Sequence, residues 1–197
     1  MSANWTRLIN AGARTFEIPA AQYLASEGGL KASLDAALYA EARHFFRYRY
    51  DVVRVPDERP IAADVGEMLA AFAEFICDAA TLDLFHAITG GQRARFADAQ
   101  ATRYLPGDFL TRHDDKQEGA GRIFAYVLSL VEDWRAEWGG LLHFLDDKGE
   151  VTGVFVPVFN SLSLFRVPQP HSVSFVAPYA GGERISVTGW LRTELPH

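Results

Sequence analysis

Two side chains able to bind a metal stand two residues apart, where His113 is followed by Asp115. Residues 109–113 are predicted to form a strand. Because residues i and i+2 of a strand point to the same face, we expect this imidazole and this carboxylate to lie together. A third ligand must come from elsewhere, and His171 is the best candidate. Two histidines and one carboxylate on one face of an iron ion leave positions open for a co-substrate and dioxygen.

Three further features favour a site over a loop histidine beside solvated acids. Arg184 opens an alternating run that continues to Trp190. A buried arginine needs an anion, and its forked guanidinium fits a carboxylate. Residues 138–144, Trp-Gly-Gly-Leu-Leu-His-Phe, are predicted to form another strand, whose glycines permit close backbone approach. Tyr104 precedes His113 on the same predicted sheet edge.

These residues resemble the catalytic domain of the iron(II)- and 2-oxoglutarate-dependent oxygenases. The similarity is greatest to the prolyl hydroxylase-like group, which includes eukaryotic enzymes that hydroxylate a proline of a ribosomal protein. The matching pieces are Tyr104, Leu110-Thr-Arg-His113-Asp-Asp115, Gly121-Arg122, Trp134, Gly139-Gly140, His171-Ser-Val-Ser and Arg184-Ile-Ser-Val-Thr188-Gly-Trp190. Each piece alone is unspecific, whereas together they are specific. They lie between about residues 100 and 191.

The resemblance implies an enzyme with a defined set of ligands. His113, Asp115 and His171 would bind iron(II) as the catalytic triad. Arg184 would bind the distal carboxylate of the co-substrate 2-oxoglutarate, dioxygen would be the second co-substrate, and ascorbate is a candidate reductant. Related halogenases lack the carboxylate at the position of Asp115, so its presence favours hydroxylation. The leading substrate is a prolyl residue of a protein or peptide.

Further roles follow from the same resemblance. Tyr104 and Thr188 would hydrogen-bond to the co-substrate, although Tyr104 could simply cover the pocket wall. Arg122 and Trp190 would line the substrate mouth, with a structural role as the alternative for each. Relatives carry a tyrosine that helps to hold the co-substrate carboxylate at the place that Ser129 occupies here. This serine would leave the pocket roomier or wetter.

Several alternatives stay open at this point. Arg184 could instead be a surface arginine that pairs with Glu183 or Glu194. His143 could approach the metal, although the family pattern does not use it. The loop from Trp134 to Trp138 is expected near the mouth. The substrate could be a small molecule or a free amino acid. The chain could also be a non-catalytic sensor of 2-oxoglutarate or oxygen, or a cupin-like metalloenzyme that needs no oxo acid.

Composition limits the remaining classes of function. The 197 residues carry a net charge of −6, which argues against sequence-independent binding of nucleic acid. Hydrophobic residues make up 49% of the chain, enough for a sizeable core, and no apolar stretch is long enough to predict a membrane span. Cys77 is the single cysteine, so no intramolecular disulfide can form. We expect a cytoplasmic protein; its oligomeric state stays open.

The fold prediction is a single domain, residues 1–197, with a helical flank over 1–92 and a core over 93–197. Residues 1–13 are expected to be a polar lead-in. Strands are predicted at 14–19 and 45–55. Helices are predicted at 20–42, broken at Gly28-Gly29, and from 62 to about 88, with Thr81 as a candidate cap. The apolar stripe of the second helical region is Val65, Met68, Leu69, Phe72, Phe75, Ile76 and Ala79.

From about residue 93 the pattern changes to short strands separated by turn residues. They are predicted near 95–104, 109–113, 122–130, 139–145, 151–157, 161–166, 172–177 and 184–192. Eight short strands behind a helical flank indicate an α+β, mainly β, fold. We predict a double-stranded β-helix, or jelly roll, buttressed by the N-terminal helices.

Overall fold

The computed structural model describes residues 4–11, 13–26, 29–91 and 93–195. The strands are β1 (Thr6–Ala11), β2 (Arg14–Pro19), β3 (Tyr48–Arg54), β4 (Phe96–Ala97), β5 (Gln100–Tyr104), β6 (Phe109–His113), β7 (Arg122–Ser129), β8 (Leu142–Leu145), β9 (Val151–Phe155), β10 (Ser161–Arg166), β11 (His171–Val173) and β12 (Arg184–Arg192). The helices are α1 (Ala20–Ala25), α2 (Gly29–Ala42), α3 (Glu67–Cys77) and α4 (Ala79–Thr89), and single 3-10 turns lie at Ala63–Val65 and Ala136–Trp138. Among the described helices, none is both long and apolar enough to cross a membrane.

Eight strands of the second half curl around a common interior. Hydrogen bonds join them in the orders β10-β7-β12-β5 and β6-β11-β8-β9, with antiparallel neighbours throughout. Residues from both groups of strands line one cavity of about 440 Å³, so the two groups face each other across it. This arrangement confirms the predicted jelly roll with N-terminal helices.

Strand β3 links the two groups of strands. Its residues 51–54 pair with β5, and its residues 48–49 pair with β6. The strand predicted as part of the flank therefore lies in the middle of the sheet order and closes one side of the cavity. Strands β9 and β10 form the two free ends of that order.

The expectation of a polar lead-in is wrong, because residues 6–11 form β1. This strand pairs with β2 on one side and with β3 on the other. Leu8 and Ile9 are buried in the core, and so is the charged side chain of Arg7. Strands are predicted from apolar patterns, and the charged Arg7 interrupts that pattern. The sequence therefore does not predict β1.

The helices follow the prediction with local differences. Helix α1 ends before Ser26 and α2 begins at Gly29, while Gly28 lies outside the described residues. The second helical region is two helices, and the N-cap between them is Asp78, whose carboxylate accepts from the backbone N–H of Ala80 at 2.9 Å. The prediction of Thr81 as the cap is wrong. Gly90 ends α4 in a left-handed conformation.

Only part of the predicted apolar stripe on α3 packs against the sheet. Ala73 and Ile76 are buried, and Phe72 packs beside them against core clusters that include residues of β7 and β12. Met68 and Phe75 are 85% and 60% exposed, so their assignment to the packed face is wrong. Residues 69, 72, 73 and 76 turn inward because they recur at steps of three and four, which form one helical face.

A buried ion network fixes β3 and the approach to β6. Asp108 receives two hydrogen bonds of 3.0 Å from the guanidinium of Arg7 and one of 2.7 Å from Nε of Arg49. Asp51 receives Nε of Arg7 at 2.5 Å and Nη2 of Arg103 at 2.7 Å. Both carboxylates are fully buried. The network therefore ties β1, β3, β5 and the start of β6 together.

Replacing Asp108 by Ala should lower the free energy of unfolding by about 3–5 kcal/mol, because two buried guanidinium groups would lose their shared carboxylate. Urea denaturation followed by circular dichroism would measure the change. Asp83→Ala is the matched control, since Asp83 pairs with Arg93 on the surface and an exposed pair contributes about 1 kcal/mol or less. Equal losses in the two variants would contradict a structural role for the network.

Candidate metal centre

The ends of two neighbouring strands bring His113 and His171 together. His113 is the last residue of β6, His171 is the first of β11, and antiparallel pairing places them directly opposite each other. Their ring centroids are 4.1 Å apart. One potential ligand atom from each of His113, Asp115 and His171 lies within 4.8 Å of the others. Strand register thus brings together predicted ligands that are remote in sequence.

Asp115 reaches this group through a left-handed turn. Strand β6 ends at His113, and the backbone φ of Asp115 is 60°. The prediction that strand alternation aligns the two residues is therefore wrong, although the carboxylate does face both rings. Nε2 of His113 lies 3.3 Å from Oδ1, and Nε2 of His171 lies 3.5 Å from Oδ2. Aspartate tolerates this conformation better than most residues because its short polar side chain can hydrogen-bond locally.

Backbone carbonyls orient both histidine rings. Nδ1 of His113 lies 3.0 Å from the carbonyl oxygen of Thr111, and Nδ1 of His171 lies 2.8 Å from that of Gln169. A carbonyl oxygen can only accept, so Nδ1 carries the proton in each neutral ring. The Nε2 lone pairs are then left for a metal, and metal-binding histidines typically donate their other ring N–H to such a carbonyl oxygen.

Burial and local charge set the protonation of the group. Burial would raise the pKa of the Asp115 carboxyl, but the His113 and His171 rings, in their protonated forms, outweigh burial and lower that pKa. Burial, assisted by His113, lowers the pKa of His171. Metal ions bind ionised carboxylates and neutral imidazoles. Both shifts therefore favour the protonation states that bind a cation.

Arg184 is a buried cation with no carboxylate partner among the described residues. It is 3% exposed, its guanidinium lies 5.0 Å from the ring centroid of Tyr104, and its Nη1 donates to Oγ of Ser186 at 3.4 Å. Its Nε has no hydrogen-bond partner, and burial lowers its pKa. Glu183 instead receives a hydrogen bond from Arg103. The alternative of a surface arginine is wrong.

Tyr104 and Thr188 line the same cavity as Arg184. Tyr104 lies opposite Arg184 on β5, is 3% exposed and stacks on Tyr50 with ring centroids 5.1 Å apart. Thr188 lies four residues after Arg184 on β12 and therefore on the same face of the strand. Its hydroxyl lies 3.4 Å from Nε2 of Gln100. Both residues are thus close enough to the cavity to contact a bound molecule.

The glycine pair before β8 allows the close approach that the sequence predicted. A Cβ on Gly139 would lie 1.9 Å from the carbonyl oxygen of Phe175. A Cβ on Gly140 would lie 3.0 Å from Cδ of Arg184. Both glycines have positive φ, and β8 itself begins only at Leu142. The glycines therefore form a wall of the arginine pocket rather than the start of a strand.

Arg122 and Trp190 form a stacked pair beside Asp115. The guanidinium carbon of Arg122 lies 3.6 Å from the ring centroid of Trp190, and its Nη1 donates to the backbone carbonyl of Asp115 at 3.3 Å. The indole N–H of Trp190 contributes to lowering the pKa of Asp115 but reaches no acceptor in full hydrogen-bond geometry. Both side chains line the cavity and brace the turn that carries this carboxylate.

Trp134 lies beside the arginine pocket, and none of residues 134–138, which the sequence predicts near the mouth, lines the cavity. Its ring packs with Tyr104 and Val176, and its indole N–H donates to the carbonyl of Gly139 at 2.9 Å. The ring is half-buried against this cluster, and its N–H has a hydrogen-bond partner there. Trp138 meets the Trp134 ring edge to face at 5.3 Å.

His143 and Ser129, which the sequence analysis considered near the site, lie on β8 and β7. His143 lies opposite Ser172, whereas its neighbour Phe144 lies opposite His171. Because alternate residues of a strand point to opposite faces, His143 faces away from the metal-binding group. Ser129 is buried opposite Ser186, and its hydroxyl has no hydrogen-bond partner.

An aromatic wall, formed by Phe46, Tyr48, Tyr50 and Tyr104, was missed as a functional feature. All four side chains line the cavity. The first three alternate along the approach to β3 and on the strand itself, and this alternation of aromatic residues was visible in the sequence. The sequence predicts a strand over these residues, but nothing in it indicates that this strand lies next to β6.

Residues 99–192 match the family model described as the 2OG-Fe(II) oxygenase superfamily. Together with the jelly roll and the facing His-Asp-His group, this match identifies residues 99–192 as a 2OG-Fe(II) oxygenase domain. Over 111 residues the chain is 37% identical to "Prolyl 3-hydroxylase OGFOD1" of Xenopus laevis. That match covers 53% of this chain but only 21% of the relative, so the chain spans about a fifth of the relative's length.

Solved structures share the fold. An oxidoreductase of the 2OG-Fe(II) oxygenase family from Burkholderia pseudomallei superposes with a TM-score of 0.60 at 17% identity, over 83% of this chain and 81% of that chain. A prolyl-4-hydroxylase from Pseudomonas putida superposes with a TM-score of 0.53 at 22% identity, over 98% and 94% of the two chains. At these identities the likeness supports the architecture alone.

Proposed function

We propose that the chain is an iron(II)- and 2-oxoglutarate-dependent dioxygenase that hydroxylates an unactivated C–H bond, with a prolyl residue of a protein or peptide as its substrate. The observation that carries the proposal is the coexistence of two features in one cavity. One is the His113, Asp115 and His171 group, and the other is the buried guanidinium of Arg184, which has no carboxylate partner among the described residues.

The donor set fits iron(II). Two imidazole Nε2 atoms and one ionised carboxylate converge from one side, as in the two-histidine, one-carboxylate sites of non-haem iron oxygenases. The carbonyl oxygens of Thr111 and Gln169 hold the imidazoles with Nε2 free. When bound, the iron supplies the redox chemistry that activates dioxygen, while the protein supplies position and electrostatics.

The arginine pocket fits a dicarboxylate co-substrate. A buried guanidinium without a counter-ion is unfavourable, because its charge has lost hydration without gaining an ion pair. A carboxylate on the distal end of 2-oxoglutarate would supply that ion pair, with the hydroxyl of Ser186 beside the guanidinium and Thr188 on the lining of the same cavity. Tyr104 beneath the guanidinium excludes water and thereby strengthens the interaction.

The other cavity residues would orient the reactants. Arg122 donates a hydrogen bond to the backbone carbonyl of Asp115, which helps the carboxylate to keep its direction. Trp190 under that guanidinium keeps the turn covered. These contacts restrict where a substrate C–H can approach, which is how a positioned site lowers a reaction barrier.

A prolyl substrate is supported by the Xenopus relative, which carries the name prolyl 3-hydroxylase, and by the aromatic wall. The Xenopus relative is matched over only about a fifth of its length, so its own substrate is not transferred. A small molecule or free amino acid is the alternative substrate. A non-catalytic sensor is less consistent with a complete ligand set beside Arg184.

Anaerobic titration tests this proposal. Addition of 2-oxoglutarate to the iron(II)-loaded protein should produce a weak visible charge-transfer band, because the oxo acid chelates the metal. Admission of air should then convert 2-oxoglutarate to succinate, even without substrate, although slowly. A band without succinate would favour the sensor, and the absence of both would contradict the proposal. Screening proline-containing peptides for a mass gain of one oxygen atom would follow.

A further inference from the structure

The aromatic wall runs without interruption from the cavity mouth to Arg184. The ring centroids of Phe46 and Tyr48 are 5.4 Å apart, those of Tyr48 and Tyr50 are 5.5 Å apart, and those of Tyr50 and Tyr104 are 5.1 Å apart. These separations lie in the range of favourable aromatic pairs. The four rings therefore form one connected surface.

The opposite face of β3 holds this surface in place. Tyr48 and Tyr50 point into the cavity, whereas Arg49 and Asp51 point to the other side and belong to the buried ion network with Asp108. Side chains alternate along a strand, so fixing one face fixes the other. The hydroxyl of Tyr48 is also within 3.2 Å of Oγ1 of Thr15 on β2.

The wall has an inner and an outer part, and the metal-binding group lies beside the outer part. The inner part is Tyr50 and Tyr104, next to Arg184. The outer part is Phe46 and Tyr48, and the Phe46 ring lies 5.3 Å from the ring of His113. Phe46 is 43% exposed, so an apolar face beside a candidate metal ligand is open to solvent. The inner part belongs to the proposed co-substrate pocket, which leaves the outer part for another molecule.

We propose that Phe46 and Tyr48 form the docking surface for the substrate ring and that this ring is the pyrrolidine of a prolyl residue. This inference rests on the proposed function and extends it to residues outside the segment 99–192. A pyrrolidine presents several C–H bonds to an aromatic face and buries apolar area there, whereas an alanyl residue presents one methyl group. The ring held on Phe46 lies beside His113, where its C–H bonds face the metal position.

Protein-observed NMR tests the inference without turnover. The full chain is loaded with zinc(II) and 2-oxoglutarate, and N-acetylproline methylamide or N-acetylalanine methylamide is titrated in. The resonances of Phe46 and Tyr48 should shift with the proline probe, and its dissociation constant should be lower than that of the alanine probe by about fivefold, on the order expected for one ring–aromatic contact. Equal affinities, or no shift at Phe46 and Tyr48, would overturn the inference.

Neighbouring residues provide matched variants. Phe46→Leu keeps an apolar side chain but removes the aromatic face, and it should reduce the preference for the proline probe to below about twofold. Phe45→Ala should leave the preference unchanged, because Phe45 is 60% exposed and does not line the cavity. Tyr48→Phe should also retain it. A proline preference that survives in Phe46→Leu would contradict the inference.

The inference and the proposed function can fail separately. Succinate formation in wild-type protein that does not distinguish the two probes would overturn the inference and leave the oxygenase proposal intact. Selective binding of the proline probe at Phe46, without succinate formation in air, would support the docking surface while contradicting the proposed catalysis.

Discussion

Replacing Arg184 by Met should make the ligand-free protein more stable and abolish its response to 2-oxoglutarate. The guanidinium is buried with an unpaired Nε, whereas Met has similar length and no charge to desolvate. Replacing buried ionic groups by apolar ones can gain about 1–4 kcal/mol. The loss of the contact with Tyr104 offsets part of this, so we expect a gain of about 2 kcal/mol, or roughly 4–8 °C in Tm for a chain of this size.

With 2-oxoglutarate present, the wild-type protein should gain stability that Arg184→Met does not gain. In the wild-type protein loaded with zinc(II), a 2-oxoglutarate concentration one hundred times the dissociation constant should add about 2.7 kcal/mol of stability. In Arg184→Met this addition should vanish, together with the charge-transfer band and succinate formation. Differential scanning calorimetry with and without 2-oxoglutarate measures both changes in one experiment.

Arg103→Met is the matched control for this prediction. Arg103 is the neighbour of Tyr104 on β5, but its guanidinium bonds to the buried carboxylate of Asp51 at 2.7 and 3.0 Å. Its removal should lower stability, because that carboxylate loses a partner. A destabilised Arg184→Met that still binds 2-oxoglutarate would show that Arg184 is a structural residue.

Replacing His171 by Ala should remove metal binding and all succinate formation. The His113, Asp115 and His171 group offers three ligand atoms from one side, and two ligands cannot hold a labile divalent ion in the presence of water. We expect the affinity for iron(II) to fall by more than about a hundredfold, which exceeds the usual effect of removing an outer-shell partner. Anaerobic titration with iron(II) or manganese(II), followed by calorimetry, measures the loss.

His143→Ala is the control within the same sheet. His143 lies on β8, next to β11, but faces away from His171 because it is opposite Ser172. Its removal should leave the affinity for metal within about twofold of wild type, since an outward side chain contributes no ligand atom. Equal loss of metal in both variants would mean that the ion is held elsewhere.

The architecture of the second half could be predicted because its strands are short, apolar and separated by glycine, proline and aspartate. The observed strands β6 to β12 begin and end within a few residues of the predicted ones, apart from β8 and β11. There the Gly139-Gly140 pair and the residues after Val173 run close to one another without regular strand geometry. The His113, Asp115 and His171 group and the burial of Arg184 were anticipated from residue type together with the resemblance.

The remaining features depend on contacts that no local pattern reveals. Strand β1 contains a charged residue, Arg7, whose burial requires Asp51 and Asp108 from remote segments. The turn at Asp115 depends on backbone conformation, and the orientation of each imidazole depends on a backbone carbonyl. The position of β3 between β5 and β6 is a long-range pairing. These features become visible only when strand order is known.

Sequence similarity and hydrogen bonding divide this chain at different places. The segment that matches the superfamily, residues 99–192, lacks the strand that joins β5 to β6, and this strand ends at Arg54. A truncated protein that consists of residues 99–192 alone would lack the strand that pairs with both β5 and β6, next to the metal-binding residues. Asp108 would also lose its partners Arg7 and Arg49. Anyone who transplants this catalytic half onto another scaffold must therefore carry along the first fifty or so residues, or supply a substitute strand.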